Sequence, residues 1–533
     1  MISAPTQPAE PLSRKDSTSF NQRILTKQPR SDFWVMILLI RLRLYASLGF
    51  LRFLGLFIPI EARAYAGRSA FWLEKWLFHL GQWRAYAIYQ KAVRRCPAYV
   101  QFLKDERSMG IALPKDWTSI PAMTKENYVK RYDIESRCYD GEIPPTGVTI
   151  DESAGSTGIP NNWVRGKEER AHSAYLMRLN QKLIYANASQ KTIMLNCFAM
   201  GPWGTGITVT NALADTRILK SLGPDASKLE NALRVFGPTY TYVILGYPPF
   251  VKHFLDTTTL DLTPYELHAV VGGEGMSEGL RDYLLRYFKN VRSAFGASDL
   301  EISMAGETEL SIALRRWMRQ HPEACQAFFG RPQPPMIFQY NPAHYFIETQ
   351  PNGELLFTIT RLSTIAPKIR YNLRDVGGTM RHNEFQKRLE AIGLSPKHFS
   401  KCPSPYPLLW LYGRSDQSVA FYGAKIFVGD FQNILNEDPI FSKNFQSFQF
   451  KTREDDHLRT VLSVYLERLP SSTEIFHQGA LQERLFKELM RVNQDFREIS
   501  SVISKDQLDL HLYPASQGPF AANALRIKNK YVG

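Results

Sequence analysis

The residues Ser153–Pro160 (SAGSTGIP) are the densest group in this chain able to hold an anion. Glycines let main-chain N–H groups approach a phosphate closely, and Ser and Thr hydroxyls add donors. The run follows Val148–Ile150, a β-branched stretch that reads as the end of a strand. Phosphate binding is the chemistry this composition suits, but a Ser/Gly-rich run also makes plain surface turns, so partners must be sought elsewhere. The spacing is not the G-x-S-x-G of a hydrolase nucleophile elbow. None of the 11 histidines stands at a metal-site or triad spacing. Cys96, Cys138, Cys197, Cys325 and Cys402 lie tens of residues apart without a C-x-x-C pair, and read as reduced core thiols of a cytosolic protein.

A chain of 533 residues is long enough for two or more domains with sizeable cores. Its 65 basic and 51 acidic residues leave a net charge of +14, which suits anionic partners such as nucleotides, coenzyme A or an acidic membrane surface. Nucleic acid ranks last, because no aromatic-basic recognition motif is present. Residues 1–31 have the polar, Pro- and Ser-rich composition of a disordered tail. Phe33–Ile60 carries no acid and three arginines, and its apolar runs reach only about eight residues, too short to span a bilayer. Two readings stay open for it: a basic amphipathic helix in a membrane interface, or a helix docked on the main body.

Residues 61–110 continue as helix, with Trp76, Phe78, Trp83 and Tyr86 at core-like spacing. Beyond residue 111, strands and helices alternate. Arg170–Tyr185 is expected as a helix, Thr192–Phe198, Tyr240–Leu245, Leu267–Val271 and Val291–Phe295 as buried strands, and Glu278–Phe288 as a helix capped by Ser277. Glu354–Thr360 and Lys368–Tyr371 suggest a more β-rich portion, and Leu408–Tyr412 a further strand. The expected fold class is α/β: a large N-terminal domain with mixed sheets and a β-rich portion (111–416), preceded by a helical extension (32–110). A small α+β domain (417–533) follows, with a helix near Ala480–Arg497.

Six segments complete the pattern: SAGSTGIP (153–160), VVGGEGMSEGLRDYL (270–284), AFGASDLE (294–301), IRYNLRDVGG (369–378), YGRSDQSVAFYGAKI (412–426) and RIKNK (526–530). In this order they resemble the adenylate-forming superfamily, and within it the phenylacetate–CoA ligase-like branch, over roughly residues 115–533. The resemblance implies that Ser153, Gly155, Ser156, Thr157 and Gly158 cradle the ATP phosphates and that Gly272, Gly273 and Glu274 form a turn beside the adenine. Phe295, followed by Gly296, would stack on that base, with Ser298 the hydroxyl of the same motif. It implies Mg²⁺ contact at Asp299, where the family has Glu, with Glu301 near enough to compensate. Asp375 would clamp the ribose hydroxyls and Arg414 would meet ribose and phosphate. Asp416 would be the hinge of a mobile small domain that turns Gly423 toward the site. Lys528 is favoured over Lys530 as the catalytic lysine, and Asn161 stands where a lysine is familiar. Met200, Gly201 and Trp203 fall where the branch lines its acid pocket, and a large indole suits an aryl or fatty acid.

The resemblance thus implies an ATP- and Mg²⁺-dependent ligase that converts a carboxylic acid to its adenylate and then to the coenzyme A thioester. Transfer to an amine, alcohol or carrier thiol is an alternative, and so is a non-catalytic nucleotide-binding scaffold. Joining two anions while expelling pyrophosphate requires cation and N–H stabilisation together with positioning. The location expected is cytoplasmic, with peripheral membrane contact through residues 33–60.

Overall fold

The computed structural model describes residues 71–107, 114–153, 161–184, 191–201, 205–401, 403–415, 418–472 and 474–525. The expectations for the 1–31 tail and the 33–60 helix lie outside the described residues, as do those for residues 154–160, Trp203, Asp416, Lys528 and Lys530. Among the described residues, no helix is long and apolar enough to cross a membrane.

The fold is mixed α/β. A two-stranded hairpin, β1 (Val148–Ser153) and β2 (Asn161–Gly166), precedes the main sheet. That sheet contains β3 (Thr192–Asn196), β4 (Ile218–Ser221), β5 (Thr241–Gly246), β6 (Glu266–Gly272), β7 (Asn290–Phe295), β8 (Ala305–Gly306) and β9 (Met336–Tyr340). It continues through β10 (Tyr345–Thr349), β11 (Glu354–Ile359), β12 (Tyr371–Met380) and β13 (Leu408–Arg414). The 11 strands lie in the order β10-β11-β12-β13-β9-β8-β7-β6-β5-β3-β4. From β4 to β7 the pairing is parallel, and from β7 outward it is antiparallel. The parallel half explains why its strands are legible as apolar runs: every residue of β3 and β5 is buried, because helices cover both faces. The β-rich portion is no separate sheet but the antiparallel continuation of this one.

Helix starts follow local chemistry. Ser277 caps Glu278–Leu284 by accepting the Leu280 N–H at 3.0 Å, and Asp225 caps Ala226–Phe236 through the Lys228 N–H at 3.0 Å. The long helix Phe71–Arg95 docks on the sheet through Gly81, where an added Cβ would meet the Pro342 carbonyl oxygen at 1.9 Å. Buried Glu74 anchors it through paired bonds from Arg381, at 3.0 Å and 3.0 Å. The expected continuous helix breaks at Cys96, after which Pro97 opens a second helix, Pro97–Asp105.

Three other expectations are corrected. Lys368–Tyr371 is not a strand: Arg370 takes φ 48°, outside the extended region, and pairing begins at Tyr371. A strand, β2, stands between the glycine-rich run and the helix, which spans Lys167–Ile184. The C-terminal helix near Ala480–Arg497 is two helices, Gln478–Val492 and Gln494–Ile499, separated where Asn493 caps the second.

After β13 come the hairpin β14 (Val419–Phe421) and β15 (Ala424–Ile426) and a three-stranded sheet of β16 (Phe445–Glu454), β17 (Thr460–Arg468) and β18 (Leu508–Tyr513). Phe431, Phe448, Phe450, Leu485 and Phe496 fill this smaller unit. Its apolar cluster runs on through Phe421 and Tyr422 into the packing around Tyr247 and Phe250 of the large unit.

Candidate active site

A cavity of about 820 Å³ opens between the carboxyl ends of the parallel strands and the hairpin β14–β15. In an open α/β sheet, ligands bind in such a crevice. Strands β6 and β7 run side by side and end together, with Gly272 opposite Ala294, so Gly272–Glu274 and Phe295–Ser298 reach the cavity from neighbouring positions. Phe295 packs obliquely on Phe338 and Phe357, at 5.9 and 6.0 Å between ring centres, and presents the rest of its ring to the space. Ser153, the last residue of β1, also lines the cavity, and its Oγ accepts the Trp163 Nε1–H at 2.9 Å. β1 and β2 pair up to Ser153 and Asn161, the residues that bracket 154–160.

Asp375 and Arg414 come from segments far apart in sequence, yet they are register partners on β12 and β13. Arg414 donates from Nη1 to Asp375 Oδ1 at 3.3 Å and from Nε to Ser418 Oγ at 2.8 Å. Asp375 therefore lies on a strand, beside an irregularity between Val376 and Gly377. Gly377 is required there: a Cβ would sit 1.9 Å from the Trp410 carbonyl oxygen.

Asp299 is buried, and its Oδ2 is held by Lys125 Nζ at 3.3 Å and by the Tyr371 hydroxyl at 3.0 Å. Burial works against its charge, but Lys125 and Lys425 more than offset it and bring the carboxyl down to about 2. Glu301 is also buried; it pairs with Arg361 and accepts the Tyr345 hydroxyl at 2.7 Å, so it does not compensate as expected. No group of three or more His, Cys, Asp or Glu among the described residues is placed to hold a metal ion. Asp299 Oδ1 is buried without a hydrogen-bond partner among the described residues, and a Mg²⁺ carried by phosphates needs only one or two protein carboxylates. Lys125 thus meets one of the two oxygens of Asp299, where a Mg²⁺ contact was expected.

Three residues missed by sequence reasoning complete the site. Lys125 follows the helix-capping Thr124 in a segment with no catalytic signature. Lys425 lies on β15, inside the segment YGRSDQSVAFYGAKI but not singled out there; it lines the cavity. Burial, then Arg414 and Lys125, push its ammonium down to about 8, while Asp299 and Asp375 act the other way. Tyr247 stands between two glycines of positive φ, Gly273 and Gly423, both at 87°. A Cβ on either would meet its ring, at 2.7 and 2.4 Å. Gly423 thus lets the hairpin close on Tyr247 at the cavity. Beside it, burial pushes the Glu274 carboxyl up to about 8, partly offset by a main-chain hydrogen bond from Tyr422.

The far end of the cavity is apolar, formed by Met177, Met194, Phe198, Met200 and Val209. Met200, expected in an acid pocket, lines the cavity. Gly201, at φ 111°, does not line the cavity.

This architecture, a large mixed sheet closed over by a small α+β unit, is the fold of the adenylate-forming ligases. No protein-family model matches the chain, and no curated protein matches it in sequence. Among solved structures, it is similar to 2-hydroxyisobutyryl-CoA ligase in complex with 2-HIB-AMP and CoA in the thioesterification state. That likeness has 13% identity and a TM-score of 0.59, and covers 88% of this chain and 91% of the ligase. A weaker likeness, at 11% identity and a TM-score of 0.45, is to the amide bond synthetase McbA from Marinactinospora thermotolerans, covering 70% of this chain and 67% of that one.

Proposed function

We propose that this protein activates a carboxylic acid with ATP, supplied as its magnesium complex, to an acyl adenylate and then passes the acyl group to coenzyme A. The observation that carries the reading is the gathering of Ser153, Gly272–Glu274, Phe295–Ser298, Asp375 and Arg414 around one cavity. The adenine would lie against Phe295 and the turn at Gly272–Glu274. The ribose hydroxyls would meet Asp375, whose carboxylate Arg414 orients. Arg414 and the residues that follow Ser153 would face the phosphates, and Lys528 would approach during adenylation.

The apolar end supports an apolar acid, aryl or aliphatic, as in the phenylacetate–CoA ligase-like branch; methionines adapt to irregular ligands. The seating of Gly423 against Tyr247 supports a second step in which the small unit closes the cavity for a thiol. The 2-hydroxyisobutyryl-CoA ligase holds both an acyl-AMP and CoA, and we carry that pairing over to this cavity.

Carboxylate-dependent pyrophosphate release, measured with magnesium–ATP over a panel of aryl and fatty acids with and without CoA, tests the reading. Release that depends on one class of acid, and thioester formed only with CoA, is the expected result. ATP binding without release for any acid would favour the scaffold, and release without thioester would favour another acceptor.

A further inference from the structure

The adenylation reading gives Arg414 a task at the nucleotide and leaves Lys425, which lines the same cavity, without one. Lys425 is fixed from behind. Its carbonyl accepts a bond from Asn493 Nδ2 at 2.8 Å, its N–H reaches Asp495 Oδ2 at 3.4 Å, and Asn493 in turn bonds Asp430 at 2.6 Å. The lysine is thereby tied to the helix Gln494–Ile499 and belongs mechanically to the small unit. Its side chain points the other way, into the cavity beside Asp375, Arg414 and Ser298. Of the three acids near it, Asp299 Oδ2 is engaged by Lys125 and Tyr371, Asp375 by Arg414, and Asp495 by the lysine's own main-chain N–H. Among the described residues, the Lys425 ammonium makes no ion pair or hydrogen bond. A half-buried ammonium without a partner is held at a cost that an anion in the cavity would relieve.

We infer that Lys425 donates to the phosphate of the bound nucleotide when hairpin β14–β15 is seated against Tyr247, so that closing the small unit also delivers a phosphate-binding cation. This rests on the adenylation reading, which supplies the nucleotide. Its consequence is that the small unit carries a phosphate contact on its hairpin, in addition to the one expected from its C-terminal residues. In the seated arrangement the phosphate that becomes the leaving group of acyl transfer is then held by the element that closes the site.

Calorimetric titration of the full chain with AMP and with adenosine tests this, in the wild type, Lys425→Met and Lys425→Arg. A charged hydrogen bond lost from a cavity lowers affinity by about tenfold or more. Lys425→Met is therefore expected to lose about tenfold of the preference for AMP over adenosine, and Lys425→Arg to keep it within about threefold. An unchanged AMP preference in Lys425→Met would overturn the inference and leave the nucleotide site intact. So would an equal loss of AMP and adenosine, which would mark the lysine as a prop for the hairpin. A wild type that binds neither ligand would remove the adenylation reading, and the inference with it.

Discussion

Glu274 and Lys425 face one cavity, and burial drives each toward its neutral form. Such opposed environments are typical of sites whose charges wait for a ligand. Glu274 makes this measurable as stability. Its carboxyl lies near 8 in the folded chain, against an ordinary value of 4.5. The folded state therefore holds a proton that the unfolded chain releases, and the associated stability is present below about 4.5 and lost as pH rises through about 8. Glu274→Gln, which cannot ionise, is expected to be more stable than the wild type by about 2–4 kcal/mol at pH 8.5 and nearly equal to it at pH 4.5. Urea unfolding at both pH values checks this; the same difference at both would show that the carboxyl is not desolvated. Asp299 behaves oppositely, because Lys125 meets its charge at short range. It holds that lysine through Oδ2, while its Oδ1 is buried without a hydrogen-bond partner among the described residues.

At the scale of elements, hairpin β14–β15 is decisive. Gly423 combines φ 87° with a Tyr247 ring atom 2.4 Å from where a Cβ would stand. Gly423→Ala is expected to destabilise the protein by about 2–3 kcal/mol, through backbone strain and through the clash. In a Tyr247→Ala background the clash disappears and only the strain remains, so the cost should fall to about 1 kcal/mol. A double-mutant cycle by denaturant unfolding measures the difference. Additivity of the two changes would mean that the hairpin does not press on this ring.

At the scale of the whole molecule, the large sheet and the small unit share one apolar cluster through Phe421, Tyr422 and Tyr247, and the cavity lies along their junction. On the proposed reading, a nucleotide bound there would touch both parts and stabilise them together. AMP at about 100 times its Kd is expected to add about 2.7 kcal/mol and to raise the melting temperature of the whole chain. Calorimetry should show one shifted transition. A shift confined to one of two separate transitions would place the nucleotide on a single unit.

How much of this was legible in the sequence follows from the range of the forces involved. The parallel strands β3, β5, β6 and β7 were visible as short apolar runs, because a strand buried on both faces needs no polar alternation. The Ser277 cap was visible because its partner is three residues away. Segments such as FGASD and YNLRDVGG could be recognised as motifs, since each is continuous along the chain. What the local signal could not carry was registry across the sheet. That Asp375 faces Arg414, and that β12 begins only after Arg370, depends on the pairing of β12 with β13 and on one residue of positive φ. The occupation of Asp299 by Lys125 likewise joins residues 174 positions apart, through burial that no periodicity announces. Local composition thus determined the strands, the caps and the kinds of group available for phosphate chemistry. The tertiary structure alone decided which of those groups are already neutralised by a partner and which, like Lys425, still face the cavity, because desolvation and ion pairing depend on distance in space and not along the chain.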